Sequence, residues 1–447
     1  MSSFENRSTC LLGLIDYVHQ NGGLINSSID FVPSTAINSK QSTLSVSTDY
    51  GIIATSDIGE KELLISVPYH LCITAEHIIS SPLLKDLFDA NPGLKDYPDE
   101  VLAIGLMHCR LYPLSTCGWK PHMEVLPETF NTTIYWTEEE LAHLNGHVVH
   151  SLTKMMLRQI DTDFNTIHLP LSMEYPHILG GVTIDLYIWA LSIVYSRALE
   201  ITRRQRHVRC IVPLLDLANH NPCSDKTSFD TFEYNDAADA IQFVSSSELR
   251  KGDECYAVYG IYPNSKLLYT YGFVVMNNPH RAIDLWVKVN AATYRAADKS
   301  CILQNHELTN HQSYDFKGTL RPNYVSPGLL TTIRVIQADD DDIMNIELAY
   351  SGHMVSYRNE AATYISLRNL IIARMKIEDA ESDKLKLGEL LLSDTDCSDR
   401  QLCSLIVKVE ERELLVEVLT MVNGWIDSLD LLKEEYVPSD CSNDRQS

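Results

Sequence analysis

An apolar stretch that ends in polar groups constrains this chain more than any other feature. Residues 211–222 read IVPLLDLANHNP, so apolar residues lead into Asp216, and Asn219 and His220 follow before a proline. A stretch this apolar predicts a buried strand, but buried polar groups cost free energy unless partners or a ligand form hydrogen bonds with them. We therefore expect the rest of the chain to be arranged around the polar end of this strand.

The apolar periodicity changes along the chain. Strand-like runs at 50–54 and 62–68 give way to helical spacing over about 80–180, and after a further helix another strand is predicted at 254–259. From about residue 290 the spacing is helical throughout. The 447 residues exceed what one hydrophobic core usually holds, so two or three domains are expected. The pattern predicts an α+β fold, with a mostly-β core of short strands, an inserted helical block and an all-α C-terminal domain. The last two helices are predicted as separate apolar faces at 402–409 and 414–422.

Two helix ends can be read directly from residue types. Thr137 and Glu140 have the spacing of a capping box, in which each side chain binds the backbone N–H of the other. Residues 264–271 predict a helical turn, and Gly272 is the residue that ends it.

The net charge and the cysteine spacing favour some classes of protein and disfavour others. The formal charge is −24, from 60 acidic and 36 basic residues, which disfavours direct binding of nucleic acid and suits a basic polypeptide partner. On charge alone, the favoured explanation is that acidity merely maintains solubility. The 11 cysteines include no CxxC pair, which favours reduced thiols and no structural metal. No apolar run has membrane-spanning length, and the N-terminus is a poor signal peptide, so we expect a cytoplasmic or nuclear protein without membrane contact.

Several common enzyme signatures are absent, including the nucleophile elbow GxSxG, the phosphate-binding loop GxxxxGK[ST] and the dinucleotide-binding GxGxxG. A constellation in three separated pieces remains. The pieces are Tyr50-Gly51; Arg197 with the Asp216-Leu217-Ala218-Asn219-His220 run; and Gly252 to Gly260 (GDECYAVYG) with Tyr271-Gly272-Phe273.

In this order and at these separations, the three pieces resemble the SET-domain methyltransferases, in the branch typified by the Rubisco large-subunit lysine methyltransferase. The resemblance covers most of the chain. It implies a SET domain at 20–285 with a helical insertion at 81–180 and a helical substrate-binding domain at 290–437, while the polar composition after the last helix predicts a disordered tail at 438–447. It also implies a protein-lysine N-methyltransferase that uses S-adenosyl-L-methionine.

The resemblance also implies roles for individual residues. Backbone at Asp49, Tyr50 and Gly51 would line the methionine end of the cofactor, with Arg197 near its carboxylate. The motif that begins at Asp216 would bind the cofactor through Asn219 and His220, in a threaded, knot-like arrangement. Tyr259 matches the catalytic tyrosine, and Tyr271 matches an aromatic position near the cofactor and the substrate amine. One departure is Thr48, which stands where the family often has an acidic residue.

Three alternatives stay open at this point. The acceptor could be histidine, although in the actin-histidine methylating relatives the position that matches Tyr271 is not tyrosine, which favours lysine here. The chain could be a non-catalytic scaffold that binds a protein partner. Taken singly, Asn219-His220 could cap a strand, Tyr259 and Tyr271 could be core aromatics, and Arg197 could stabilise a helix end. We expect a monomer that acts on a basic protein segment carrying lysine. The substrate's identity and the number of methyl groups transferred are not determined by the sequence.

Overall fold

The computed structural model describes residues 3–34, 43–44, 50–113, 118–221, 231–290, 292–305, 315–375, 385–388, 390 and 398–435. The chain forms two compact units, one of Met1–Pro279 with Cys397–Cys403 and one of His280–Asp396 with Ser404–Ser447. None of the helices in the described ranges is long and apolar enough to cross a membrane.

The strands are short and antiparallel. In chain order they are β1 Leu24–Ile25, β2 Ile29–Pro33, β3 Thr43–Leu44, β4 Tyr50–Ala54, β5 Leu63–Pro68, β6 Ile73–Thr74, β7 Leu199–Arg203, β8 Arg206–Ile211, β9 Phe232–Asn235, β10 Ala240–Val244, β11 Val274–Val275, β12 Ile283–Lys288, β13 Asp315–Arg321 and β14 Tyr324–Val325.

The helices in chain order are α1 Ser3–Gln20, α2 Ala75–Ser80, α3 Lys85–Ala90, α4 Pro98–Leu111, α5 Lys120–Met123, α6 Glu138–Ala142, α7 Val148–Asp163, α8 Leu169–Glu174, α9 Pro176–Leu179, α10 Ile184–Arg197, α11 Asn264–Lys266, α12 Ala296–Asn305, α13 Pro327–Gln337, α14 Asp340–Ile343, α15 Glu347–Tyr350, α16 Tyr357–Met375 and α17 Asp399–Glu435. Residues 385–388 form a further helical turn. Helices and short strands are thus mixed, which confirms the predicted α+β class.

Small sheets organise the first unit. The largest has the strand order β1-β5-β10-β9, and β5 is its most buried strand, since four successive residues from Leu64 to Val67 are inaccessible or nearly so. Strand β4 pairs with β2, with Gly51 opposite Val32. The predicted strand at 50–54 matches β4, and the prediction at 62–68 is right to within one residue. Both runs are mainly apolar because both faces of these strands are largely buried.

The helical block between β6 and β7 has a core of its own, as its periodicity predicts. Helices α4 and α10 lie at its centre, and α4 has nine consecutive buried residues from Val101 to Cys109. A helix that is apolar on every side must be surrounded by other elements. The capping box at the start of α6 is present, with both the Thr137 and the Glu140 side chain bound to the other's backbone. The local prediction is therefore confirmed.

The strand predicted over 211–222 is wrong in its extent. Strand β8 ends at Ile211, and the chain then turns into a 3₁₀-helix, Leu215–Leu217, before His220 forms an isolated parallel bridge with Ala257. Pro213 has no N–H for a strand ladder, and Leu214 has φ +66°, a conformation outside the strand region. The predicted strand at 254–259 likewise makes only isolated bridges, at Glu254 and Ala257. Burial was predicted correctly for the apolar stretch, since Ile211, Val212, Leu214 and Leu215 are all inaccessible or nearly so.

The C-terminal part is not all-helical. In the second unit, β12, β13 and β14 form an antiparallel three-stranded sheet, with Ile283 opposite Leu320 and Lys288 opposite Asp315. Alternation of apolar with polar residues in β13 (Phe316, Gly318 and Leu320 against Lys317 and Thr319) is the period-2 pattern of a half-buried strand, which the helical assignment overlooked. The two apolar faces predicted at 402–409 and 414–422 belong to one continuous helix, α17.

Candidate functional site

The first and third pieces of the constellation lie side by side. The Ala54 N–H donates to the Asp253 carbonyl at 2.8 Å, and the Cys255 N–H donates to the Ile52 carbonyl at 2.7 Å. Residues 253–255 therefore extend along β4, immediately beyond Tyr50 and Gly51.

The same segment also contacts the second piece. The Ala257 N–H donates to the Asn219 carbonyl at 2.8 Å, and the Asn221 N–H donates to the Ala257 carbonyl at 2.8 Å. Residues 253–257 thus join β4 to the loop that carries Asn219 and His220. The structure brings together three pieces that are about 30 to 200 residues apart in the sequence.

The side chains of Asn219 and His220 have protein partners. Asn219 Nδ2 donates to Glu254 Oε1 at 2.7 Å, and burial raises the pKa of the Glu254 carboxyl despite this bond. His220 Nδ1 accepts a hydrogen bond from the Tyr259 N–H at 3.2 Å, so that nitrogen carries no proton. These contacts supply the partners that the polar end of the apolar stretch requires. They also hold the segment around Glu254 and Tyr259 in register with the loop.

Aromatic rings cluster at this place. Tyr259 stacks on His220 with ring centroids 5.1 Å apart, and the Tyr259 and Tyr271 centroids are 5.0 Å apart. Phe273 lies 6.1 to 6.5 Å from these three rings. The Tyr259 hydroxyl donates to the Ala218 carbonyl at 3.0 Å. The two tyrosines predicted to carry the chemistry are therefore neighbours, and the Asn219-His220 loop borders them.

Tyr271 is positioned by a short π-helical segment, Leu267–Tyr271, which continues α11 and ends at Gly272 with φ +81°. The predicted helical turn and its glycine end are confirmed. Burial, followed by the nearby Tyr262 and Tyr259, raises the pKa of the Tyr271 hydroxyl well above its usual range. Tyr271 is thus a neutral phenol at any physiological pH.

Arg197 and Asp216 form a buried ion pair behind the loop. Arg197, the last residue of α10, donates from Nη1 to the Asp216 carbonyl oxygen at 2.8 Å and lies 3.4 Å from Asp216 Oδ2. The position at a helix C-terminus suits its positive charge. The Arg197 side chain is only 11% exposed and the Asp216 side chain 2%, so the pair is largely shielded from water.

His122 completes this group, although no sequence pattern had indicated it. It lies in α5, is 1% exposed, and places Nε2 3.3 Å from Asp216 Oδ2. Burial by itself would raise the pKa of Asp216, but His122 and Arg197 together hold that pKa below its usual value, so the carboxyl is ionised. Within the described part of the chain, Asp216 Oδ1 is buried and has no hydrogen-bond partner. His122 and Asp216 are 94 positions apart in the sequence, and no spacing pattern could have linked them.

Tyr50 and Gly51 lie at the start of β4. Tyr50 is buried, and its hydroxyl is 3.0 Å from Ser8 Oγ. Asp49, the third member of this predicted backbone site, lies outside the described residues. In the described ranges, no group of three or more His, Cys, Asp or Glu side chains is arranged to hold a metal ion.

Known proteins of similar sequence include protein methyltransferases, although no protein-family model matches the chain. A fructose-bisphosphate aldolase-lysine N-methyltransferase of Arabidopsis thaliana is 25% identical over 401 residues, which cover 86% of this chain and 79% of that protein. The ribosomal lysine N-methyltransferase of Schizosaccharomyces pombe is 24% identical over 94% of this chain and 73% of its own length. The actin-histidine N-methyltransferase of Mus musculus is 26% identical over 82% of this chain, which spans only 62% of that longer protein.

Solved structures with the same fold cover almost the whole chain. The SET domain of LSMT bound to lysine and AdoHcy superposes with a TM-score of 0.75 at 20% identity, over 98% of this chain and 97% of that one. Rubisco LSMT bound to AdoMet superposes with a TM-score of 0.74, over 97% of each chain. The resemblance drawn from the three sequence pieces is confirmed: the chain is similar in sequence to protein-lysine and protein-histidine methyltransferases, and it has the fold of the LSMT SET domain.

Proposed function

We propose that this chain transfers methyl groups from S-adenosylmethionine to a lysine side chain of a protein substrate. The observation that carries the proposal is the meeting of Tyr259 and Tyr271, 5.0 Å apart between ring centroids, at the Asn219-His220 loop. Each of these residues has an ordinary structural explanation by itself. Their convergence from separate segments into one aromatic cluster, with the fold of a SET domain around it, favours a catalytic site.

The residues present fit the proposed cofactor. Asp216 is ionised and buried, and its Oδ1 has no donor in the described protein, so an ammonium group of a ligand would supply what it lacks. The faces of the clustered rings favour a cation such as a sulfonium. Asp216, Asn219 and His220 would hold the cofactor together with Arg197 and the backbone at 49–51. When bound, S-adenosylmethionine supplies an electrophilic methyl group.

The two tyrosines have different roles in this proposal. Because Tyr259 donates its own proton to the Ala218 carbonyl, its phenolic oxygen can serve only as an acceptor toward another group, which suits it to orient an amine N–H. Tyr271 stays protonated, so it shapes the site and does not act as a base. The acceptor amine must arrive neutral. A lysine has a reference pKa of about 10.4, and desolvation beside these rings would lower it.

The substrate is proposed to be a protein that presents lysine in a basic segment, since the chain carries a formal charge of −24. Named substrates of the similar proteins are themselves proteins, namely the aldolase, actin and ribosomal proteins. We still expect the protein to be a monomer in the cytoplasm or the nucleus. We also expect residues 290–437 to bind the substrate and the SET domain to span 20–285.

Histidine is the second candidate acceptor, because actin-histidine methyltransferases match this chain with 25–26% identity, as closely as the lysine enzymes do. Tyr271 favours lysine. Purified full-length chain and labelled S-adenosylmethionine, added to cell extract, should label a protein, and mass spectrometry of the modified peptide should place the methyl group on lysine. Methyl on histidine would select the second candidate. Calorimetry that detects no cofactor binding would favour the non-catalytic scaffold.

A further inference from the structure

A loop of the helical insertion touches the backbone directly behind Tyr271. Asn131 Nδ2 donates to the Gly272 carbonyl at 3.0 Å. A Cβ atom at Gly272 would lie 2.8 Å from the Asn131 carbonyl carbon and 2.8 Å from the Thr132 nitrogen, which is closer than real Cβ contacts. Gly272 is therefore required here for two reasons, its φ of +81° and the adjoining backbone.

Asn131 is in turn held by Arg400, near the start of α17 and within the first compact unit. Arg400 Nε donates to Asn131 Oδ1 at 2.9 Å, so both ends of the Asn131 amide are bound. Trp136 Nε1 donates to the Asn131 carbonyl at 2.9 Å. This pattern leaves one orientation for the amide, with its oxygen toward Arg400 and its nitrogen toward Gly272.

Arg400 itself is fixed by several groups. Its Nη1 donates to Glu140 Oε2 at 2.7 Å and to the Tyr135 carbonyl at 3.3 Å, and its guanidinium lies 5.9 Å from the Trp136 ring centroid. Burial would raise the pKa of Glu140, but bonds from Thr137 and Arg400 hold it below its usual value, so the carboxylate stays charged. The guanidinium therefore has a charged partner as well as the Asn131 oxygen, and its fork geometry can hold both at once.

From this chain of contacts we infer that Arg400 is a positioning residue for Tyr271, and that it acts through Asn131 and the Gly272 carbonyl. Arg400 orients the Asn131 amide, the amide holds Gly272, and Gly272 determines where the π-helical segment ends and hence where the Tyr271 ring stands relative to Tyr259. The consequence for catalysis rests on the proposed methyl transfer. The structural coupling between Arg400 and Tyr271 does not depend on that proposal, so the coupling and its catalytic consequence can be tested separately.

Two substitutions interrupt the contacts at different points. Arg400→Ala removes the group that orients the amide. Asn131→Asp keeps an acceptor for Arg400 but replaces the donor to Gly272 with a carboxylate oxygen. In both variants, amide hydrogen exchange of the peptide spanning 267–275 should become faster. We expect kcat to fall about tenfold, since small misplacements of reacting groups are costly, while the KM for S-adenosylmethionine changes less than about twofold. The double variant should be no worse than the worse single one.

Arg110→Ala is the matched control. Arg110 also pairs with a glutamate, Glu128 at 2.7 Å, and its guanidinium lies 4.9 Å from the centroid of the Trp189 ring. The Arg110→Ala variant should have the same amide hydrogen exchange in the peptide 267–275 and the same kcat as the wild type. Unchanged exchange in Arg400→Ala, or equal changes in Arg110→Ala, would overturn the inference. Faster exchange together with a wild-type chain that transfers no methyl group would instead refute the proposed function and leave the coupling intact.

Discussion

Replacement of Tyr259 by Phe separates catalysis from folding at this site. The substitution removes one hydroxyl and keeps the ring that stacks on His220 and faces Tyr271. The lost bond is the one to the Ala218 carbonyl at 3.0 Å. A neutral hydrogen bond contributes about 0.5–1.5 kcal/mol net, and a buried carbonyl left unpaired costs about 1–3 kcal/mol. We expect a total loss of about 1–2 kcal/mol, because the site is only half-buried and water can replace the donor.

The expected loss of activity is larger than the loss of stability. If the phenolic oxygen orients the acceptor amine, kcat should fall at least about 100-fold, as when one preorganised hydrogen-bonding group is removed from an active site. Cofactor affinity should change little, because ring stacking and the Asn219-His220 contacts are retained. Thermal melting, calorimetry with S-adenosylmethionine and labelled methyl transfer measure the three quantities on one preparation.

Tyr112→Phe is the control for this experiment. The Tyr112 hydroxyl also donates to a backbone carbonyl, that of Pro176 at 2.6 Å, and its ring also lies against a histidine, His108 at 5.3 Å. The Tyr112→Phe variant should lose about as much stability as Tyr259→Phe and should keep full methyl-transfer activity. A Tyr259→Phe variant that remains folded, binds cofactor and transfers methyl groups at the wild-type rate would refute the catalytic assignment. So would a loss of turnover that merely follows a loss of cofactor binding.

Three further substitutions test the supports of the site. His122→Ala removes one partner of the buried Asp216 carboxylate. We expect the free energy of unfolding to fall by about 1–3 kcal/mol, measured by denaturant unfolding, and cofactor binding to weaken, measured by calorimetry. Wild-type values in both measurements would contradict the role of His122. Because the pKa of Asp216 is lowered by folding, its contribution to stability is complete above the unfolded value of about 3.9 and is lost as the pH falls through the lower folded pKa. Asp216→Asn should therefore flatten the acid side of a plot of melting temperature against pH, and an unchanged plot would show that the carboxylate is not ionised. Gly272→Ala places a Cβ against the Asn131 backbone at a residue with positive φ. It should lower the free energy of unfolding by about 1–3 kcal/mol and reduce turnover, measured by thermal melting and labelled methyl transfer. A fully active, stable variant would show that the Gly272 backbone can shift at little cost.

Interactions between near neighbours in the sequence were predicted well. Strand β4, the capping box of Thr137 and Glu140, and the glycine end of the turn at Gly272 all follow from residues within one or two turns of each other. The resemblance to the SET-domain methyltransferases, which rests on the order and separation of the three site pieces, also implied that Tyr259, Tyr271 and the Asn219-His220 loop would meet. The local features depend on backbone preferences, and the resemblance depends on residue types that are rare in combination.

The errors and omissions have a common physical cause. The sequence by itself determined the buried apolar stretch, the polar groups at its end and the residue types of the site. Only the tertiary structure decided which partners those groups have, because a hydrogen bond between His122 and Asp216, or between Arg400 and Asn131, depends on segments that are distant in sequence and leave no periodic trace. The sheet at β12–β14 was missed for a related reason: a short alternating run becomes a strand only when another run pairs with it, and that pairing is a property of the whole fold.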